Sequence, residues 1–125
     1  MTADLSTSQD VRNVIDSFCE RLRRDEMISR YFQYVDWKSN LPQMYSYWSS
    51  LLLGRKEESR SEGRPFPKHM MMLGLTETQF QRWIQLFYKA IDEKYKGEKA
   101  AKMKLNIHAL TLALQSRLHV MNADD

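Results

Sequence analysis

Apolar residues recur every three or four positions along most of this chain, the spacing of one buried helical face. Residues 9–24 carry Val11, Val14, Ile15, Phe18, Cys19 and Leu22 on such a stripe, and Ser6 with Gln9 reads as a capping box in front of it. Residues 1–8 are small and polar and read as a loose tail. Asp25 starts a shorter helix, with Met27, Ile28, Tyr31 and Phe32 facing inward, before residues 34–36 interrupt it. Residues 37–53 repeat the helical period through Leu41, Met44, Tyr45, Trp48, Leu51 and Leu52, and Gly54 is a natural stop. Pro42 sits awkwardly in a helix that starts near Asp36. With Asn40 as N-cap it falls in the tolerated first turn, so the pattern predicts a break near Asn40.

The helical period then lapses. Residues 55–64 are charged and almost free of apolar side chains, and two prolines follow, so residues 54–67 read as a mobile charged loop. Thr76 with Gln79 forms a second capping box. It opens the clearest amphipathic helix in the chain, through Phe80, Trp83, Ile84, Phe87, Tyr88 and Ile91, ending near Gly97. A last helix over residues 98–120 buries Met103, Ile107, Leu110, Leu114 and Leu118, and residues 122–125 form a second loose tail. No alternating strand pattern and no repeat interrupts this order, so the expected class is all-α, as one domain over residues 1–125.

Charge and composition narrow the function. Nineteen Lys and Arg face sixteen Asp and Glu, a net charge of +3, and the two signs interleave, so there is no concentrated footprint for nucleic acid. No apolar run approaches the ~20 residues of a membrane span, and the N-terminus lacks the pattern of a signal peptide. The single Cys19 excludes an internal disulfide and agrees with a reducing, cytoplasmic setting. No nucleophile paired with a base, no carboxylate pair and no phosphate-cradling glycine loop is visible, which argues against an enzyme working without a cofactor.

The stretch over residues 63–72 carries the candidate chemistry. His69 offers an imidazole that ligates a metal when neutral; Arg64 and Lys68 can neutralise an anionic cofactor, and Met70, Met71 and Met72 can lie against a flat apolar face. The alternative is a solvated histidine at the end of a proline-rich loop. His108 and His119 have no spacing suited to a metal pair and read as structural or solvated.

Particular residues in order go further than periodicity. Phe18, Phe32, Trp37-Lys38, Tyr47-Trp48 with Leu51-Leu52-Leu53-Gly54, Gly63-x-Pro65-x-x-x-His69 and Phe80-x-x-Trp83-x-x-x-Phe87 together resemble the group III truncated haemoglobins, from about residue 11 to residue 118. The resemblance implies a two-over-two helical sandwich holding haem b, with His69 as the proximal iron ligand. It implies that Phe32 packs on the haem, that Met44 and Trp48 continue the wall, and that Trp83 points its indole N–H, a donor only, toward a ligand on the distal side. The implied partners are a small diatomic molecule and, for any redox turnover such as nitric oxide dioxygenation or peroxide reduction, an external reductase.

Two positions depart from the family pattern. Cys19 stands beside Phe18 where the family usually has a tyrosine, and Asn40 stands where a distal histidine is common. A thiol is a weak donor, and an amide cannot titrate or act as a strong iron ligand. The distal pocket formed by Phe18, Cys19, Asn40, Met44 and Trp83 is therefore expected to be less polar than the family's. A lost hydrogen bond of about 1.5–3 kcal/mol raises oxygen dissociation roughly ten- to a hundredfold and shifts preference toward nitric oxide or carbon monoxide. Cys19 itself reads as an inert core residue rather than an iron ligand. The competing reading is a globin fold that has lost haem and serves as an interaction or regulatory module.

Overall fold

The computed structural model describes residues 2–54, 63–68 and 70–123, with the side chains of residues 71, 72 and 118–123 left aside. Four α-helices form it: α1 (Ser8–Arg24), α2 (Trp37–Leu53), α3 (Glu77–Asp92) and α4 (Glu98–Ala123). Short 3₁₀ turns at Ser29–Phe32 and Met70–Leu73 sit between them. Helix α1 packs on α2 and on α3, α3 packs on α4, and α2 reaches α4, so two helix pairs lie across each other.

The stripes read from the sequence are the faces that pack. Val11, Val14, Ile15, Phe18, Cys19 and Leu22 of α1 are all buried, as are Phe80, Trp83, Ile84, Phe87 and Ile91 of α3. Helix α4 buries Met103 and Ile107 fully, holds Leu110 and Leu114 half-buried, and adds Thr111, whose hydroxyl donates to the carbonyl of Ile107 at 2.8 Å. That internal bond lets a polar side chain sit in the core. The Leu118 side chain lies outside the described residues.

Several element ends differ from the pattern. The cap of α1 is Thr7 with Asp10, one residue after the expected pair. The expected helix at Asp25 is a single 3₁₀ turn: Asp25 itself caps the end of α1, and its carboxylate accepts the N–H groups of Met27 and Ile28. Helix α3 stops at Asp92, five residues before Gly97, and α4 runs on to Ala123 rather than ending at 120.

Helix α2 has no break at Asn40. Asp36 is its N-cap, accepting from Ser39 N–H, and Pro42 lies inside the helix. The proline removes only the one bond its own nitrogen would have donated, early in the second turn. Continuity brings Asn40, Met44, Trp48 and Leu52, spaced four apart, onto one buried line.

The N-terminal segment is anchored, not loose. Leu5 is fully buried, the Ala3 carbonyl accepts from Lys96 N–H at 3.0 Å, and the Asp4 carboxylate accepts from Lys99 and Ala100 N–H at 2.9 and 3.0 Å. Asp4 thus satisfies the free N–H groups at the start of α4 from the far end of the chain.

Candidate functional site

Helices α1, α2 and α3 each send aromatic rings to one place. Phe18 stacks on Phe87 with centroids 4.2 Å apart, and its edge meets Trp83 at 5.3 Å. Trp48 meets Phe87 at 6.0 Å, and Phe87 meets Trp83 at 5.8 Å. Period-four spacing explains this within α3: residues 83 and 87 lie one turn apart on the face turned to α1.

A fourth contributor is not helical. Phe66 enters the same cluster from the segment over residues 63–68 and meets Trp83 edge to face, centroids 4.7 Å apart. Hydrophobic patterning does not predict its burial, since it falls within the expected mobile loop. The signal lies in its flanking prolines, which hold an extended backbone at low entropic cost and can present one aromatic side chain inward.

Trp83 is fully buried, and its indole N–H has no hydrogen-bond partner among the described residues. A buried donor left unpaired costs about 1–3 kcal/mol, so native cores rarely keep one. Trp48, the other buried indole of this wall, is satisfied: its N–H donates to the Pro65 carbonyl at 3.0 Å. Met44 is buried beside it on α2. The two tryptophans therefore differ in kind, one structural and one with a donor to spare.

Cys19 is buried on α1, and burial pushes its thiol up to about 12, with Arg23 acting weakly in the opposite sense and Asp16 and Glu20 adding to the rise. It is a neutral thiol at any physiological pH, in line with an inert core cysteine. Asn40 does not aim its amide into the aromatic cluster. Its Nδ2 donates to the Asp36 carbonyl at 2.8 Å, and its Oδ1 accepts the Lys68 backbone N–H at 2.8 Å. Phe32 is buried, loosely stacked on Trp37 at 6.4 Å rather than on the cluster rings, and borders an open cavity of about 440 Å³ with Leu22, Ser29 and Gln33. The Arg64 and Lys68 side chains are exposed. His69 and residues 55–62 lie outside the described residues.

A larger open cavity of about 710 Å³ lies on the outer side of α1 and α3. Its arginines are already paired: Arg21 with Glu93 and Arg82 with Asp25, both at 2.7 Å, and Arg24 with Glu20 at 3.1 Å. Arg21 and Arg82 are committed to tying α1 and α3 together and Arg24 is held within α1, which leaves all three poorly placed to take an anion. No group of three His, Cys, Asp or Glu suited to a metal occurs among the described residues, and none of their helices is long and apolar enough to cross a membrane.

Four helices in crossed pairs around an aromatic cluster, closed below by a short irregular segment, define a truncated-globin architecture. The chain belongs to the bacterial-like globin family, whose pattern matches residues 4–116. Among solved structures it is similar to the group III truncated hemoglobin from Campylobacter jejuni, with a TM-score of 0.74 and 20% identity over 94% of this chain and 95% of that one. At that identity the likeness speaks for the fold. No curated protein matches the chain.

Membership in a globin family implies haem, and the residues present can be tested against it. The chemistry fits: an apolar aromatic wall suits a flat macrocycle, and the spare Trp83 N–H suits an acceptor arriving within that wall. The spacing at one point is closed. A flat ring in contact on both faces needs its walls about 7 Å apart, twice the contact distance between carbon atoms, whereas Asn40 and Lys68 are joined at 2.8 Å.

Proposed function

We propose that this protein is a haem-b globin that binds a small diatomic ligand, oxygen, nitric oxide or carbon monoxide, in the cytoplasm. The observation that carries the reading is the unpaired indole N–H of Trp83 inside an otherwise apolar aromatic cage, and family membership supports it. His69 would hold the iron, Phe32, Met44, Trp48 and Trp83 would line the cofactor, and Arg64 and Lys68 would neutralise its carboxylates. Bound haem supplies reversible diatomic binding and one-electron redox chemistry, the latter needing an external reductase. What this chain adds is a water-poor wall and one fixed donor. Trp83 orients and stabilises a partly charged acceptor, while the neutral Cys19 thiol contributes almost nothing.

A second reading keeps the fold and drops the cofactor, as an interaction or regulatory module. The Asn40 to Lys68 hydrogen bond favours it, because that contact closes the gap a cofactor needs.

A hemin titration followed by visible absorption, on wild type and His69→Ala in parallel, separates the two. One equivalent giving a sharp Soret band in wild type, altered or lost in the variant, is the expected result. The same broad, weak spectrum in both would leave the haem-free module.

A further inference from the structure

The segment over residues 63–68 is held against α2 at four points. The Arg64 N–H donates to the Gln43 carbonyl at 3.1 Å, the Pro65 carbonyl accepts the Trp48 indole at 3.0 Å, and the Lys68 N–H donates to Asn40 Oδ1 at 2.8 Å. At Gly63 the approach is backbone to backbone: a Cβ there would lie 2.7 Å from the Tyr47 nitrogen and 3.1 Å from the Gln43 carbonyl oxygen, and neither can step aside. The segment runs antiparallel to α2 as a strap, with Phe66 turned inward onto Trp83.

Asn40 closes this strap in a way few side chains can. Its Nδ2 is tied back to the Asp36 carbonyl, which fixes the amide so that the oxygen faces the Lys68 N–H. An amide donates on one side and accepts on the other at once, and both capacities are used here. Lys68 is the residue next to the candidate iron ligand in the sequence, and Asn40 lies on the helix that supplies Met44 and Trp48 to the wall. The bond therefore joins the two sides between which a cofactor has to pass.

We infer that Asn40 is a latch holding the 63–68 strap shut against α2, and that haem uptake proceeds through release of the Lys68 N–H from Asn40. The inference rests on the haem reading above, and assigns Asn40 to access rather than to contact with a bound diatomic ligand. Gly63 lets the strap close, and Phe66 fills the space beside Trp83 while it is closed.

The test combines backbone amide exchange with the rate of hemin uptake, followed at the Soret band. In wild type, loading is expected to remove the protection of the Arg64 and Lys68 amides. Asn40→Ala, which deletes the acceptor, is expected to take up hemin about fivefold faster, the Boltzmann factor for losing a hydrogen bond of ordinary net strength. Asn40→Asp keeps an oxygen for the Lys68 N–H but loses the Nδ2 tie to the Asp36 carbonyl, and is expected to fall between wild type and Asn40→Ala. Hemin binding with both amides still protected, or equal rates in wild type and Asn40→Ala, overturns the latch while leaving the haem reading standing. If wild type takes up no hemin and Asn40→Ala does, the latch is confirmed as the barrier. Uptake by neither variant nor wild type overturns the latch and the haem reading together.

Discussion

Phe66 meets Trp83 edge to face at 4.7 Å, with their planes 82° apart, although one belongs to an irregular proline-flanked segment and the other to the most regular helix of the chain. The contact buries both rings, so the strap is part of the core and not a surface loop. Phe66→Ala is expected to cost about 3 kcal/mol of unfolding free energy, the lower end for truncating a buried phenylalanine, because strap residues can relax inward. Urea unfolding followed by tryptophan fluorescence checks it. A loss under about 1 kcal/mol would mean that the strap does not hold this position in solution.

Cys19 links stability to alkaline pH. Its folded thiol titrates at about 12, pushed there by burial, against an ordinary value of 9.0. Between those two values the unfolded chain has lost a proton that the folded one keeps, so the unfolded state is favoured as pH rises. Stability is expected to fall by about 1.4 kcal/mol per pH unit from this group between about pH 9 and 12, and to be unaffected by it at lower pH. Tyr45 and Tyr47, also raised by burial, add to the alkaline loss, so the informative quantity is the difference in slope between wild type and Cys19→Ala. Parallel slopes would contradict a buried, neutral thiol.

Asp4 acts at the acid end. Burial raises its pKa, but the N–H groups of Lys99, Ala100 and Leu5 outweigh that and hold the carboxyl below the ordinary range. A depressed folded pKa means a contribution present above about pH 4 and lost as pH falls through the folded value. Asp4→Ala is expected to cost about 1 kcal/mol at neutral pH, as for a lost helix cap, and much less near about pH 2. Thermal unfolding across that range reads the convergence of variant and wild type.

Asp25 and Arg82 hold α3 to the end of α1. Both the Nε and a terminal nitrogen of Arg82 reach Asp25 Oδ2 at 2.7 Å, and the Asp25 side chain is only 4% exposed. Asp25→Ala strands a guanidinium and frees the N–H groups of Met27 and Ile28 at once. The expected cost is about 3 kcal/mol, at the low end for a broken buried pair because Arg82 is one-third exposed. Arg82→Lys keeps the charge but not the fork, and is expected to recover less than half of the loss against Arg82→Ala, measured by urea unfolding. Full recovery would reduce the pair to simple attraction.

What is local is legible in the order of the residues. The Thr76 and Gln79 box, the stop at Gly54 and the stripes of α1 and α3 depend on residues within a turn or two of one another, and helical period reports them directly. The aromatic order that resembles a truncated haemoglobin leads to the right fold family largely for the same reason, since most of it is carried by spacing within helices.

What the tertiary structure decided is which distant groups meet. Asp4 caps a helix that begins 94 residues later, Phe66 completes a cluster built on α1 and α3, and Asn40 spends its amide on the strap rather than on the cluster. None of these leaves a periodic trace, because a polar or aromatic side chain in an irregular segment is satisfied by whatever packing brings near it. Helix formation is written in neighbouring residues; closure of the pocket depends on contacts between elements that the chain brings together only when it folds.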